Sequence, residues 1–220
     1  MSKLAWLEHG FGTRLSSDWP DGAGAALSTV RQIHSAKVLR ADRAGLVGEG
    51  DALISNQAGL TLAVRTADCL PVLMADSKNR AVAAVHAGWR GVVQEIVPTA
   101  MDALAHQFGT RPEDLTVAIG PGIAACCFEV GPEVALQFSD LFPERRDLTE
   151  QTHVDLMDAV LRQLGRSGVR SGQIDASGLC TGCHGKLFHS YRRDRDAAGR
   201  MVSAIGIRSG VARKSTKARA

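Results

Sequence analysis

Five short apolar runs bounded by Gly, Pro and Asp most constrain what this chain can fold into: Leu60–Val64, Pro71–Ala75, Ala81–His86, Thr116–Ile119 and Met201–Ile207. Each is too short for an ordinary helix and rich in Val, Leu, Ile and Ala, so each is predicted as a strand. Three segments carry a helical pattern instead. Val93, Ile96, Val97, Ala100, Met101, Leu104 and Phe108 share one face, with Pro98 expected to kink or restart that helix. A short helix is expected after Gly131, through Val134 and Leu141. A third is predicted from the stripe Leu156, Val160, Leu161 and Leu164, ending at Gly165 or Gly168. Consecutive strands early and interspersed helices later favour an α+β fold: one domain with mixed β-sheets and flanking helices, rather than a doubly wound one. No GxGxxG or P-loop pattern occurs, so dinucleotide binding and Walker-type hydrolysis lack their usual signature.

A chain of 220 residues can bury one sizeable core, and 45% hydrophobic with 22% charged residues is ordinary for a globular domain. The net charge of +3 is unevenly placed. Residues 208–220 hold five basic side chains and no acidic one, leaving 26 − 5 = 21 basic against 23 acidic in the remainder. The domain is therefore assigned to residues 1–207 and a solvated basic tail to 208–220. No aromatic residue interleaves with the tail's charges, which disfavours nucleic acid as a partner. The N-terminus has no apolar signal core, and no run is long enough to span a bilayer. The expected setting is the cytoplasm, where five cysteines read as thiols or ligands rather than disulfides.

His9, His106 and His153 sit in no pattern and read as surface or capping histidines. His86 ends the run AVAAV before a Gly-flanked turn, Cys69 separates two apolar runs, and His34 follows TVRQI. Three metal-binding side chains thus sit at strand ends. Two imidazoles and a thiolate suit zinc with its fourth position open, a catalytic rather than structural arrangement. The ligands are widely separated in sequence, so spacing alone favours the plainer reading of a buried thiol and hydrogen-bonded core histidines.

The motifs RQIHS, GDALIS, RTADCLPVLMAD, AVHAGWRG, AIGPGIAACCFEVG and SYRRD…GR follow one another from Thr29 to Ile207. In that order they resemble the YfiH-type, or laccase-domain, family. The resemblance implies a mixed-sheet α+β fold and one zinc per chain on His34, Cys69 and His86, with copper an adventitious occupant of the same donors. It also implies purine nucleosides and phosphate as partners, in phosphorolysis of adenosine, inosine, guanosine or methylthioadenosine and in deamination of adenosine. Other members are described as peptidoglycan editing factors, and older labels read polyphenol oxidase. Three departures stand out: FGTRLSSDWPDG in place of a block like FSTRxGGVS, Phe128 where a Tyr is frequent, and AAGR where TGR is usual.

Phosphorolysis needs positive charge for phosphate and a proton source for the purine. Arg14, Arg65, Arg90, Arg192 and Arg193 lie within the motifs; Arg14, Arg65 and Arg192 are assigned to substrate or phosphate. Arg90 is assigned to catalysis with Asp68, which neighbours Cys69 and would act as acid, base or ligand-orienting group. The zinc deaminase signature HxE…PCxxC is absent. A four-copper oxidase would need many imidazoles, whereas there are seven histidines and no HxH pair. CTGCH matches a c-type haem attachment pattern, disfavoured without an export signal. A second zinc on Cys180 and Cys183 would need two further ligands, and no partner CxxC exists; adjacent Cys126 and Cys127 are expected to line or buttress the main site. Two alternatives stay open: a cysteine amidase on peptidoglycan precursors using Cys69 and His86, and a zinc-bound interaction protein.

Overall fold

The computed structural model describes residues 1, 4–16, 20 and 26–210. Residues 2–3, residues 17–19 and 21–25 within and just after the departing N-terminal block, and 211–220, most of the basic tail, lie outside the described residues. Two sheets form successive layers. The first has order β1-β13-β6-β2-β4: β1 Leu7–Phe11, β13 Met201–Ile207, β6 Leu60–Thr66, β2 Ala26–Arg31 and β4 Gly45–Glu49. The second has order β12-β9-β7-β8-β5-β3: β12 Ile174–Ala176, β9 Leu115–Ile119, β7 Leu70–Asp76, β8 Ala81–Ala87, β5 Ala52–Ser55 and β3 Val38–Arg40. A two-stranded ribbon pairs β10 (Glu129–Val130) with β11 (Thr152–His153). Both large sheets mix parallel and antiparallel pairs, as the α+β expectation requires.

All seven residues of β7 and of β8 are buried, because the second sheet is covered on both faces. Leu73, Ala75, Val82 and Ala84 pack towards the first sheet, against Leu62, Val64 and Ile205. Val72, Met74, Ala83 and Val85 face the helices α2 (Ile96–Phe108) and α4 (Leu156–Arg166). The helical run expected from Val93 is divided: α1 (Trp89–Val93) stops, Glu95 takes the left-handed φ of 64°, and α2 restarts with Pro98 in its first turn. The missing proline N–H costs nothing there, since first-turn donors have no intrahelical partner. Gly168 (φ 88°), not Gly165, follows the end of α4. The helix after Gly131 is short, α3 (Pro132–Ala135) with a 3₁₀ turn, and a one-turn α5 spans Tyr191–Asp194. Among the described residues no helix is long and apolar enough to cross a membrane.

Candidate active site

The two sheets part where the chain crosses from one to the other, and the metal-binding side chains sit there. β2 and β6 run parallel in the first sheet, and each is followed by a strand of the second. Residues 32–37 carry the chain from β2 to β3 and include His34; residues 67–69 carry it from β6 to β7 and end on Cys69. Gln32 ties the crossings together: its side-chain amide donates to the Arg65 carbonyl (2.7 Å) and accepts from the Arg65 N–H (2.8 Å), extending the β2–β6 ladder. His86 arrives from β8. The donor atoms of His34, Cys69 and His86 lie within 4.8 Å of one another, with the imidazoles edge to face at 5.0 Å. His34 (φ 60°) and Asp68 (φ 87°) both hold left-handed backbone, strain that clusters at functional sites.

A residue the sequence reading did not single out organises this trio. Asp51, from the GDALIS motif, is fully buried beneath it. Its carboxylate accepts from the N–H groups of Ile33 (3.3 Å), His34 (2.9 Å) and Ser35 (2.6 Å), and from the Ser35 hydroxyl (2.7 Å). It also pairs with His86 Nδ1 at 2.9 Å, which leaves Nε2 for a metal. Burial raises the Asp51 carboxyl, yet the bonds from His86 and Ser35 outweigh it and hold the group at about 2. Burial likewise disfavours charge on His86, but Asp51 and Cys69 raise its pKa to about 9. Cys69, pushed up by burial, is brought down to about 6 by His34 and His86. A thiolate, two imidazoles and a carboxylate behind one of them are a donor set that fits zinc.

Gly88 leaves the space those donors surround. A Cβ there would lie 3.0 Å from Cys69 Sγ, 3.1 Å from His34 Cδ2 and 3.7 Å from His86 Cε1. Its φ of −75° suits any residue, so the need for glycine is spatial. Gly88→Ala is expected to weaken metal binding about tenfold or more, as loss of ligand positioning does. Competition with a chromophoric chelator measures this, and unchanged affinity would show that the donors do not converge on that space.

The trio opens into a cavity of about 950 Å³, large enough for a nucleoside-sized ligand. Arg65, Arg90, Arg192, Arg195 and Arg200 line it, against Asp68 as the one acidic residue of the wall among the described residues. Arg65 and Arg90 make no side-chain hydrogen bond or ion pair among the described residues; the Arg90 guanidinium rests on the Trp89 ring at 4.4 Å. Arg192 lies over Phe128 (5.6 Å) and donates to the Glu129 carbonyl (2.6 Å). Arg14 is not in the wall; its guanidinium donates to the Gly185 carbonyl at 2.5 Å. Arg193 also stands outside, bonded to Asp194 and to the Thr181 and Gly182 carbonyls. Arg200 closes the SYRRD…GR motif and Arg195 lies within its gap, but the sequence assigns neither a role, because only the fold brings the loop after α5 over the cavity.

Asp68 is held in place by two short hydrogen bonds. Its Oδ1 accepts from the Thr181 hydroxyl and its Oδ2 from the Arg192 N–H, each at 2.6 Å. These bonds let Asp68 fix the backbone before Cys69 and anchor α5, while each oxygen keeps a second lone pair for the acid–base or ligand-orienting role. The cysteines also depart from expectation. Cys126 and Cys127 are not in the cavity wall; they meet Cys180 and Cys183, supplying the two thiols that the CxxC lacked in sequence.

A fold of two mixed sheets flanked by helices, with a His–Cys–His site where the sheets part, is the YfiH class of architecture. Residues 17–208 match the family model described as multi-copper polyphenol oxidoreductase laccase, and the chain belongs to that family. It is similar to a YfiH protein of Bacillus licheniformis, whose crystal structure superposes with a TM-score of 0.78 at 31% identity, covering 83% of this chain and 74% of that one. A protein of Bacteroides thetaiotaomicron named purine nucleoside phosphorylase is 42% identical over 163 residues, 71% of this chain. The chain spans 60% of that relative's length. A protein named adenosine deaminase RL5, from an unknown prokaryotic organism, is 34% identical over 80% of this chain and 72% of its own length. Despite the family description, His34 and His86 are the only histidines gathered in a metal-capable group among the described residues.

Proposed function

We propose that the chain is a zinc-dependent purine nucleoside phosphorylase, acting on adenosine, inosine, guanosine and methylthioadenosine, with adenosine deaminase activity at the same site. The carrying observation is that one cavity joins the His34–Cys69–His86 donors to Arg65, Arg90, Arg192, Arg195 and Arg200 in its wall. Its relatives' names, purine nucleoside phosphorylase and adenosine deaminase, point the same way. Zinc on those three residues would supply Lewis acidity and an activated water at its open position. The residues do the rest. Arg65, Arg90 and Arg192 grip phosphate, for which the guanidinium fork is well shaped. Val30, Ile123, Phe128, Leu156 and Tyr191 give the purine an apolar and aromatic bed. In phosphorolysis a phosphate oxygen bonds to ribose C1′, the C1′–N9 bond breaks, and its electron pair leaves with the purine, which takes up a proton. Deamination exchanges the 6-amino group for oxygen from water and needs no phosphate.

Free base is therefore expected from inosine only when phosphate is supplied, whereas adenosine yields inosine without it. Arg90→Ala should depress phosphorolysis by one to two decades, the loss of about 1.5–3 kcal/mol for one charge-assisted contact. Chromatography of both reactions checks this; an equal fall in both, with metal retained, would remove Arg90 from the phosphate site. A second reading rests on the order Cys69–His86–Asp51, with Cys69 held near 6 and His86 near 9. Without metal that order is a thiolate, an imidazolium and an orienting carboxylate, the equipment of a cysteine amidase.

A further inference from the structure

We propose that Cys126, Cys127, Cys180 and Cys183 form a second metal site, a tetrathiolate for one zinc-type divalent ion, separate from the active site. Their sulfurs all lie within 4.8 Å of one another. Cys126 and Cys127 each approach Cys183 Sγ at 3.5 Å, and their own sulfurs are 3.8 Å apart. Four thiolates at the usual Zn–S length of about 2.3 Å form a tetrahedron with edges of about 3.8 Å. The separations match that tetrahedron and far exceed the roughly 2.05 Å of a disulfide. Four soft donors this close also select one ion rather than a polynuclear cluster, and favour zinc over hard cations.

The backbone is shaped to bring these thiols together. Cys126 and Cys127 occupy a tight turn whose Cys127 and Phe128 N–H groups bond the Ala124 carbonyl. The CTGC loop is fastened beside it by the Gly122–Cys180 bridge and by the Thr181 N–H bonded to the Gly122 carbonyl at 2.9 Å. Gly182 allows the contact: a Cβ there would lie 2.9 Å from Cys127 Sγ. Cys180 Sγ accepts from the Ala124 N–H at 3.4 Å, a bond that orients a ligating thiolate. Arg193 places positive charge beside the loop through the Thr181 and Gly182 carbonyls. Cys126 and Cys183 are exposed and Cys180 is buried, so the ion would sit at the surface and clip together segments more than 50 residues apart. Between two of the ligands, the Thr181 hydroxyl bonds Asp68, so the clip also steadies the wall next to Cys69.

Elemental analysis of the full chain, purified anaerobically with zinc supplied, tests this. Wild type should carry two ions per chain, one for each donor group. Cys126→Ser/Cys183→Ser should keep one, and so should His86→Ala. X-ray absorption of the ion left in His86→Ala should show four sulfur neighbours, which decides the matter even where the cysteine variant fails to fold. An ion content unchanged by Cys126→Ser/Cys183→Ser overturns the site, as does His86→Ala with no sulfur-only ion. Mass spectrometry finding Cys183 disulfide-bonded to Cys126 or Cys127 in the anaerobic protein also overturns it. Failure of the active-site reading is a different result: His86→Ala would then hold as much metal as wild type.

Discussion

Asp51→Asn is expected to cost about 3–5 kcal/mol of stability and to weaken binding at the His34–Cys69–His86 site by about 10–100-fold. The substitution preserves shape while placing an NH₂ where an acceptor stood. Five donors converge on the Asp51 oxygens, four of them from residues 33–35 and one from His86. One amide oxygen cannot serve them all, and a raised imidazolium loses its counter-charge in a buried place. The loop that presents His34 and the ring orientation of His86 are released together. Chemical denaturation and chelator competition measure the two effects, and wild-type metal affinity in a folded variant would refute the role. The pH dependence has a definite sign. The Asp51 carboxyl is held near 2 against an ordinary 3.8, so the bound proton is disfavoured in the folded state. Its contribution of about 2–3 kcal/mol is fully present above pH 4 and disappears as pH falls towards 2. Asp51→Asn should therefore flatten the acid limb of the metal-free protein's stability curve.

The sequence exposed residues whose type implies chemistry and hid those whose partners are distant. Leu60–Val64, Pro71–Ala75, Ala81–His86, Thr116–Ile119 and Met201–Ile207 were readable as strands because they are uninterrupted apolar runs, and all five lie within observed strands. β3 and β4, at sheet edges with half-buried or exposed side chains, carry no such run and were missed. His34, Cys69 and His86 stood out by residue type at strand ends. Asp51 did not, because an aspartate between Gly50 and Ala52 reads as turn punctuation until its five donors are seen. Gln32 mimics backbone in a ladder, a role no pattern announces. The CxxC of Cys180 and Cys183 shows no partner in sequence because the parallel bridge that brings it to Cys126 and Cys127 spans more than 50 residues. Arg14 was placed with the site on motif alone, and the fold puts its guanidinium on Gly185.

His34→Ala separates the two readings of the active site with the largest difference in rate. His34 is exposed at the cavity, and removing its imidazole takes nothing from the core. Its left-handed φ of 60° is already borne by a side chain with a Cβ, so alanine adds little backbone strain there. In a zinc-dependent phosphorylase, losing one of three protein ligands empties the centre. Lewis-acid stabilisation of several kcal/mol then vanishes, so nucleoside turnover should drop by about three decades or more. In a cysteine amidase the reacting pair is Cys69 and His86, oriented by Asp51, and His34 only helps lower the thiol. Amide hydrolysis would then fall by about tenfold or less, because thiolate is still formed beside a protonated His86. Inosine phosphorolysis and a peptidoglycan-type amide, assayed on one preparation with its metal content measured, give the comparison. Loss of metal together with nucleoside turnover supports the zinc enzyme. A metal-poor variant that keeps cleaving the amide assigns the site to Cys69 and His86 instead.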